Sequence, residues 1–132
     1  IGEEPQVREA RGRFEDGVDV TLTAALAFPS GARAEIACSM IPDAPQARLT
    51  VAGSKGRLEI INFLAPQMGC RFTTTIGGET VVQPVDGPTT YEAQLDHVVE
   101  VAAGRASPLT GGADAVANMA AIDAIYRLAG RP

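Results

Sequence analysis

The stretch Val18-Asp19-Val20-Thr21-Leu22-Thr23-Ala24-Ala25-Leu26-Ala27-Phe28-Pro29-Ser30-Gly31-Ala32-Arg33-Ala34-Glu35-Ile36-Ala37-Cys38-Ser39-Met40 decides the fold. Val18, Val20, Leu22, Ala24, Leu26 and Phe28 alternate with Asp19, Thr21, Thr23, Ala25 and Ala27. Successive side chains of a strand point to opposite faces, so a period of two predicts a long strand with one apolar face. Pro29-Ser30-Gly31 is a turn signal. Beyond it Ala32, Ala34, Ile36, Cys38 and Met40 alternate with Arg33, Glu35, Ala37 and Ser39. The two halves therefore read as a hairpin with matched inner faces.

The same alternation extends in both directions. Residues 7–14 form a shorter strand, joined through Glu15-Asp16-Gly17, because Asp-Gly suits a tight turn. Pro42-Asp43-Ala44-Pro45 breaks the pattern, and residues 46–52 resume it with Leu49 and Val51 on one side. Gly53-Ser54-Lys55-Gly56 is a turn, and residues 57–61 follow with Leu58 and Ile60 inward. Residues 62–69 are a loop. Residues 70–76 and 79–84 form a last hairpin, with Gly77-Gly78 supplying the positive φ angles of its turn.

The final third changes period. Thr89-x-x-Glu92 is a capping-box pattern. Tyr91, Leu95, Val98, Val99 and Ala102 then recur at helical spacing, and Gly104 ends the helix. Ala113, Val116, Ala117, Ala120, Ala124 and Leu128 form the stripe of a second helix, which Gly130 stops. Strands first and helices last argue an α+β fold. The expected architecture is a large open, mostly antiparallel sheet with two C-terminal helices packed on one face, all within residues 1–132.

Composition removes several functions. The chain has 132 residues, 11 basic and 16 acidic, for a net charge of −5. A nucleic-acid binder normally carries a basic surplus to neutralise phosphates, so a nucleic-acid partner is not expected. Arg8, Arg11 and Arg13 cluster, but Glu9 and Glu15 dilute them. No apolar run is long enough to span a bilayer, so a membrane partner is not expected either. Cys38 and Cys70 each sit in an apolar, strand-like stretch and read as two reduced core thiols of a cytoplasmic protein. The N-terminal residues lack an initiator Met and a signal-peptide pattern, and read as the continuation of something upstream.

The chemistry-bearing motifs are missing. There is no G-x-G-x-x-G, no phosphate-binding loop, no G-x-S-x-G and no cysteine pair spaced for zinc. His97 is the only histidine and reads as a helix-surface or core-edge imidazole, with Asp96 turned about 100° away. The sharper reading of His97 is a proton-transfer group at a cleft. Asn62 and Arg71 can line a cleft beside the 62–69 loop, although the loop's apolar residues equally suit a lid on the core. Lys55 is the only lysine, in an ordinary turn, and Asp114 complements a helix dipole. The expectation is no catalytic residue, no cofactor-binding residue and no metal ligand in this chain. The substrate-contacting residues stay unassigned.

One sheet face stands out. Thr21, Thr23, Ala25, Ala27, Ala37, Ser39, Thr50, Thr73 and Thr75 are small or β-branched. A face of that kind can pack against a partner subunit or a neighbouring domain. A plain solvated face is the alternative, since antiparallel sheets often leave one side wet.

The segments Ala47 to Ile60, Tyr91 to Gly104, Gly111-Gly112-Ala113-Asp114-Ala115 and Ile122-Asp123-Ala124-Ile125-Tyr126 occur in a telling order. A strand–GxxG–strand hairpin precedes a Tyr-x-x-Gln-x-x-His helix, a Pro108 loop and a last helix. Together with the Phe28-Pro29-Ser30-Gly31 turn they resemble the C-terminal domain of the glucose–fructose oxidoreductase / inositol dehydrogenase / MocA family. The resemblance implies a parent enzyme whose N-terminal Rossmann domain, absent from this chain, binds NAD or NADP. It implies hydride transfer involving a sugar, cyclitol or related alcohol, and homo-oligomers formed through the open sheet face. The family's catalytic lysine lies in a Glu-Lys-Pro motif of the Rossmann half, and its Asp/His helix motif lies upstream of residue 1. Neither occurs here, and Lys55 and His97 do not match them. The resemblance thus implies a domain that walls the substrate pocket, binds no cofactor and turns nothing over alone. The alternative function is a non-catalytic module whose sheet face recruits a partner.

Overall fold

The structure is a computed structural model that describes residues 2–41 and 47–131. Pro42 to Pro45, read as a strand breaker, and Gln46, read as the start of the next strand, lie outside the described residues. The fold is α+β. Among the described residues seven strands pair antiparallel in two open sheets, of three and four strands, and two helices follow them. The chain divides into two compact units, Ile1–Asp43 with Leu109–Pro132, and Ala44–Pro108.

The first unit holds β1 (Gln6–Glu15), β2 (Val18–Ala27), β3 (Arg33–Ser39) and α2 (Gly112–Ala129). The β1–β2 turn places Asp16 and Gly17 at φ of 50° and 80°. Those values match the twist of the flanking strands, and Asp and Gly tolerate them. The β2–β3 turn closes with Gly31 N–H donating to the Phe28 carbonyl at 2.9 Å. Helix α2 packs against β1. The buried residues of this unit are Val20 and Ala24 of β2 and Ile125 of α2, the last only 4% exposed.

Two β-bulges interrupt β1–β2, one between Val7 and Glu9 and one between Arg13 and Phe14. In the second, Phe14 pairs with Asp19 although Arg13 pairs with Thr21, so Val20 is an extra residue. A bulge of that kind breaks strict alternation and re-aims the neighbouring side chain. The sequence pattern sets Asp19 on the Thr21 side. The structure instead lets the Asp19 carboxylate accept a hydrogen bond from Tyr126 of α2. At Gly12 a Cβ would lie 2.5 Å from Cε2 of Phe14, so the ring that folds across the glycine would have to shift to admit one.

The second unit holds β4 (Arg48–Gly53), β5 (Gly56–Ile61), β6 (Arg71–Ile76), β7 (Glu79–Gln83) and α1 (Thr90–Ala102). In register, Leu49, Ile60 and Phe72 share one row, and Val51, Leu58, Thr74 and Val81 the next. These rows make one apolar face. Thr50, Glu59, Thr73 and Val82 form a row on the other. Gly77 and Gly78 adopt φ of 59° and 86°, the tight turn expected of that pair. Helix α1 begins in a complete capping box. The Thr89 side chain accepts from the Glu92 N–H at 3.2 Å, and the Glu92 carboxylate accepts from the Thr89 N–H at 2.8 Å. The second bond holds the Glu92 carboxyl below the usual carboxylate range.

Candidate functional site

The outer face of the three-stranded sheet is read directly from its register. Arg13, Thr21 and Ser39 make one row; Arg11, Thr23 and Ala37 the next; Glu9, Ala25 and Glu35 the third. Glu9, Arg11, Thr23, Ala25, Glu35 and Ala37 line a shallow concavity of about 580 Å³. The floor is small residues and the rim is charged. By its Thr, Ala and Ser residues this face reads in the sequence as one with few long charges. The cross-strand neighbours correct that, because Glu9, Arg11 and Glu35 stand beside them in register. Arg13 pairs with Glu15 on its own strand. Glu9, Arg11 and Glu35 have no ion-pair partner among the described residues. Arg8 is the bulged residue and has no cross-strand partner in β1–β2.

The α2 side of the same unit carries a polar latch. Tyr126 Oη donates to Asp19 Oδ1 at 2.9 Å. Its ring lies 6.4 Å from that of Phe14, and the Arg131 guanidinium sits 4.5 Å above the ring centroid. The hydrogen bond to the Asp19 carboxylate, aided by desolvation, raises the Tyr126 phenol above its ordinary value. A small cleft of about 220 Å³ opens beside it, lined by Asp123, Tyr126, Arg127 and Arg131. A wider groove of about 650 Å³ runs along the alanine-rich stripe of α2, past Ala113, Val116, Ala117 and Ala120 to Glu4 and Pro5. The latch holds the last helix to the sheet. The Asp19–Tyr126 pair had no signal in the sequence pattern, because the bulge at Val20 hides it.

The remaining candidates are scattered. Asn62 takes a left-handed φ of 62°, and its side-chain amide donates to the Met68 carbonyl at 3.1 Å. It is therefore committed to its own loop, which carries a short 3-10 turn at Pro66–Met68. Arg71 is exposed at the start of β6, in register with Ile61. Lys55 is exposed in the β4–β5 turn. His97 is half-buried on α1 and Asp96 is exposed beside it. Asp114 is the acidic residue in the first turn of α2, as its role at a helix dipole requires. Cys38 and Cys70 are free. Cys70 is half-buried, but Cys38 is exposed, contrary to the core position read from the sequence. The cause is that α2 packs against β1 whereas Cys38 lies on β3, at the other edge of the sheet. Among the described residues no group of three or more His, Cys, Asp or Glu is placed to hold a metal. No helix among them is long and apolar enough to cross a membrane.

Residues 2–131 match the family described as "Oxidoreductase family, C-terminal alpha/beta domain". The chain belongs to the glucose–fructose oxidoreductase / inositol dehydrogenase / MocA family. Within that family it is similar to an aldose-aldose oxidoreductase from Caulobacter crescentus, solved with glycerol, at 29% identity and a TM-score of 0.84. That match covers 98% of this chain and 40% of the other. It also shares its fold with a UDP-N-acetylglucosamine 3-dehydrogenase from Acidithiobacillus ferrooxidans, at 16% identity and a TM-score of 0.84, over 97% of this chain and 41% of that one. An NAD-binding protein from Listeria innocua shares it at 17% identity and a TM-score of 0.66, over 98% and 40%. The chain thus spans about 40% of the length of these solved proteins. No curated protein matches it.

Proposed function

We propose that this chain is the C-terminal domain of an NAD(P)-dependent oxidoreductase acting on a sugar, cyclitol or related alcohol, in the cytoplasm. It walls the substrate pocket from one side, partners an N-terminal Rossmann domain, and assembles into a homo-oligomer through its open sheet face. The observation that carries this reading is the likeness to an aldose-aldose oxidoreductase over 98% of the chain, at 29% identity. The free thiols of Cys38 and Cys70 agree with a reducing compartment.

The residues of this chain do not fit a dinucleotide. A pyrophosphate is normally cradled by a glycine-rich turn at a helix N-terminus, where backbone N–H groups are unsatisfied. At α1 the N–H groups of Thr89 and Glu92 are already taken, by the Glu92 carboxylate and the Thr89 hydroxyl, and that carboxylate would repel a phosphate. At α2 the first turn carries Asp114. The chain's contribution is then shape and docking, with catalytic residues, cofactor and hydride transfer supplied by the Rossmann half.

The test is hydride transfer by the full-length protein. With NAD or NADP and a panel of aldoses, cyclitols and nucleotide sugars, turnover of at least one is expected. Absence of turnover across the panel, with a correctly folded protein, would overturn the assignment.

A further inference from the structure

We propose that the cleft at the end of α2, lined by Asp123, Tyr126, Arg127 and Arg131, binds a small hydroxy acid of monosaccharide size, its carboxylate on the two guanidinium groups and its hydroxyls on the Asp123 carboxylate. The site is built from this chain's own residues and does not depend on the oxidoreductase reading.

Helical spacing places three of the four lining residues. Asp123, Tyr126 and Arg127 lie three and four positions apart on α2, so they share one face. The chain then turns at Gly130, at a left-handed φ of 72°, and Arg131 comes to lie over the Tyr126 ring. The N–H groups of Gly130 and Arg131 donate to the Arg127 and Tyr126 carbonyls, at 3.4 and 3.1 Å. Two of the terminal carbonyls of the helix are therefore occupied, which weakens their repulsion of an anion.

One arm of the site is fixed in advance. The Arg131 guanidinium stacks 4.5 Å from the ring centroid of Tyr126, and the ring is itself held by the hydrogen bond to Asp19. A guanidinium already in place loses less freedom on taking a ligand. Arg127 and Arg131 have no carboxylate partner among the described residues, although Asp123 lies one turn from Arg127. Asp123, Arg127 and Arg131 are all exposed, so each can meet a ligand from solvent.

Charge balance names the class of ligand. Two guanidiniums against one carboxylate leave the cleft positive by one charge, in a chain whose net charge is −5. A monoanion neutralises that excess. A phosphate dianion overshoots it and faces Asp123, and an α-amino acid, neutral as a zwitterion, leaves it in place. Arginine forks suit a planar carboxylate, which takes two parallel N–H bonds. The ionised Asp123 side chain only accepts hydrogen bonds, so the same ligand must bring donors, and hydroxyls supply them. The cleft holds about 220 Å³, below the roughly 300–1,000 Å³ of pockets for drug-sized molecules, which limits the ligand to the size of one monosaccharide. A short hydroxylated chain with one carboxylate meets all three conditions.

The experiment is calorimetric titration of the full chain with D-gluconate, with D-glucose, acetate, L-alanine and inorganic phosphate as comparisons. Gluconate is expected to bind saturably, with a Kd of about 1 mM or below. Glucose, which lacks the carboxylate, and acetate, which lacks the hydroxyls, bind at least about tenfold more weakly. Arg127→Gln and Arg131→Gln each weaken gluconate about tenfold or more. Asp123→Asn narrows the preference for gluconate over acetate about fivefold or more, because a hydroxyl acceptor and a repelling charge are lost together. In the labelled chain, gluconate shifts the amide resonances of residues 123–131 and leaves those of β4 to β7 in place. Circular dichroism confirms that each variant is folded, and Arg127→Lys and Arg131→Lys replace any arginine variant that is not. No saturable binding of gluconate at tens of millimolar overturns the site. So does gluconate binding that the arginine variants leave unchanged, or tighter binding of phosphate or alanine than of gluconate. Any of these results leaves the oxidoreductase assignment standing, since that rests on turnover by the full-length protein.

Discussion

Gly53 and Gly56 face each other across the β4–β5 turn, and alanine should have opposite effects at the two. A Cβ at Gly53 meets nothing within 4 Å. A Cβ at Gly56 would press on the Thr75 carbonyl oxygen closer than Cβ atoms come in proteins, with Thr75 C at 3.2 Å and Ile76 Cγ1 at 3.1 Å. The φ of Gly56 is +156°, a conformation L side chains rarely adopt. The obstruction is backbone on the neighbouring strand, so no rotamer change relieves it. Strained backbone costs about 1–3 kcal/mol, and overpacking adds about 1–3 kcal/mol. Gly56→Ala is therefore expected to destabilise by about 3 kcal/mol or more. For a chain of this size that is a fall in Tm of roughly 10–15 °C. Gly53→Ala is expected to be neutral, or to stabilise by up to about 1 kcal/mol, by restricting the unfolded chain. Thermal and urea unfolding followed by circular dichroism read both. Amide exchange at Gly56 and Ile76, which pair at the β5–β6 end, should accelerate in Gly56→Ala alone. Two variants within about 0.5 kcal/mol of each other would refute the close β5–β6 approach.

Ile125→Ala, removing the most buried side chain of α2, should cost about 2–4 kcal/mol in urea unfolding. Thr89→Ala should cost about 1 kcal/mol and reduce helicity, because it deletes half of the capping box. Tyr126 has its phenol raised in the folded state, so its contribution is complete below the ordinary tyrosine value and is lost as pH climbs through the raised one. Tyr126→Phe should therefore lower stability at neutral pH and flatten the alkaline limb of the stability profile. Exposed Cys38 should react with a thiol reagent well before half-buried Cys70 in the native chain.

The strands and helices were legible because each obeys a local rule. Alternation gave β2 and β3, Asp16-Gly17 and Gly77-Gly78 gave their turns, and Thr89 with Glu92 gave the start of α1. The faces were less legible, because parity is lost wherever a strand carries an extra residue. The bulge at Val20 moved Asp19 from the threonine side to Tyr126. Glu35 already alternates with Ala37 along its own strand, whereas Glu9 and Arg11 become neighbours of Ala25 and Thr23 only through cross-strand register. Cys38 looked like core by its apolar setting, yet it sits at the edge that α2 does not cover. Asn62 reads in the sequence as a residue that can line a cleft, but its left-handed φ and its bond to Met68 show a turn former.

Calorimetry with NADH and NADPH, run on the purified 132-residue chain and on the full-length protein in parallel, addresses most directly whether this domain docks and shapes instead of reacting. No heat of binding is expected from the chain, and saturable binding of one nucleotide from the full-length protein. Saturable nucleotide binding by the chain alone would contradict that division of labour.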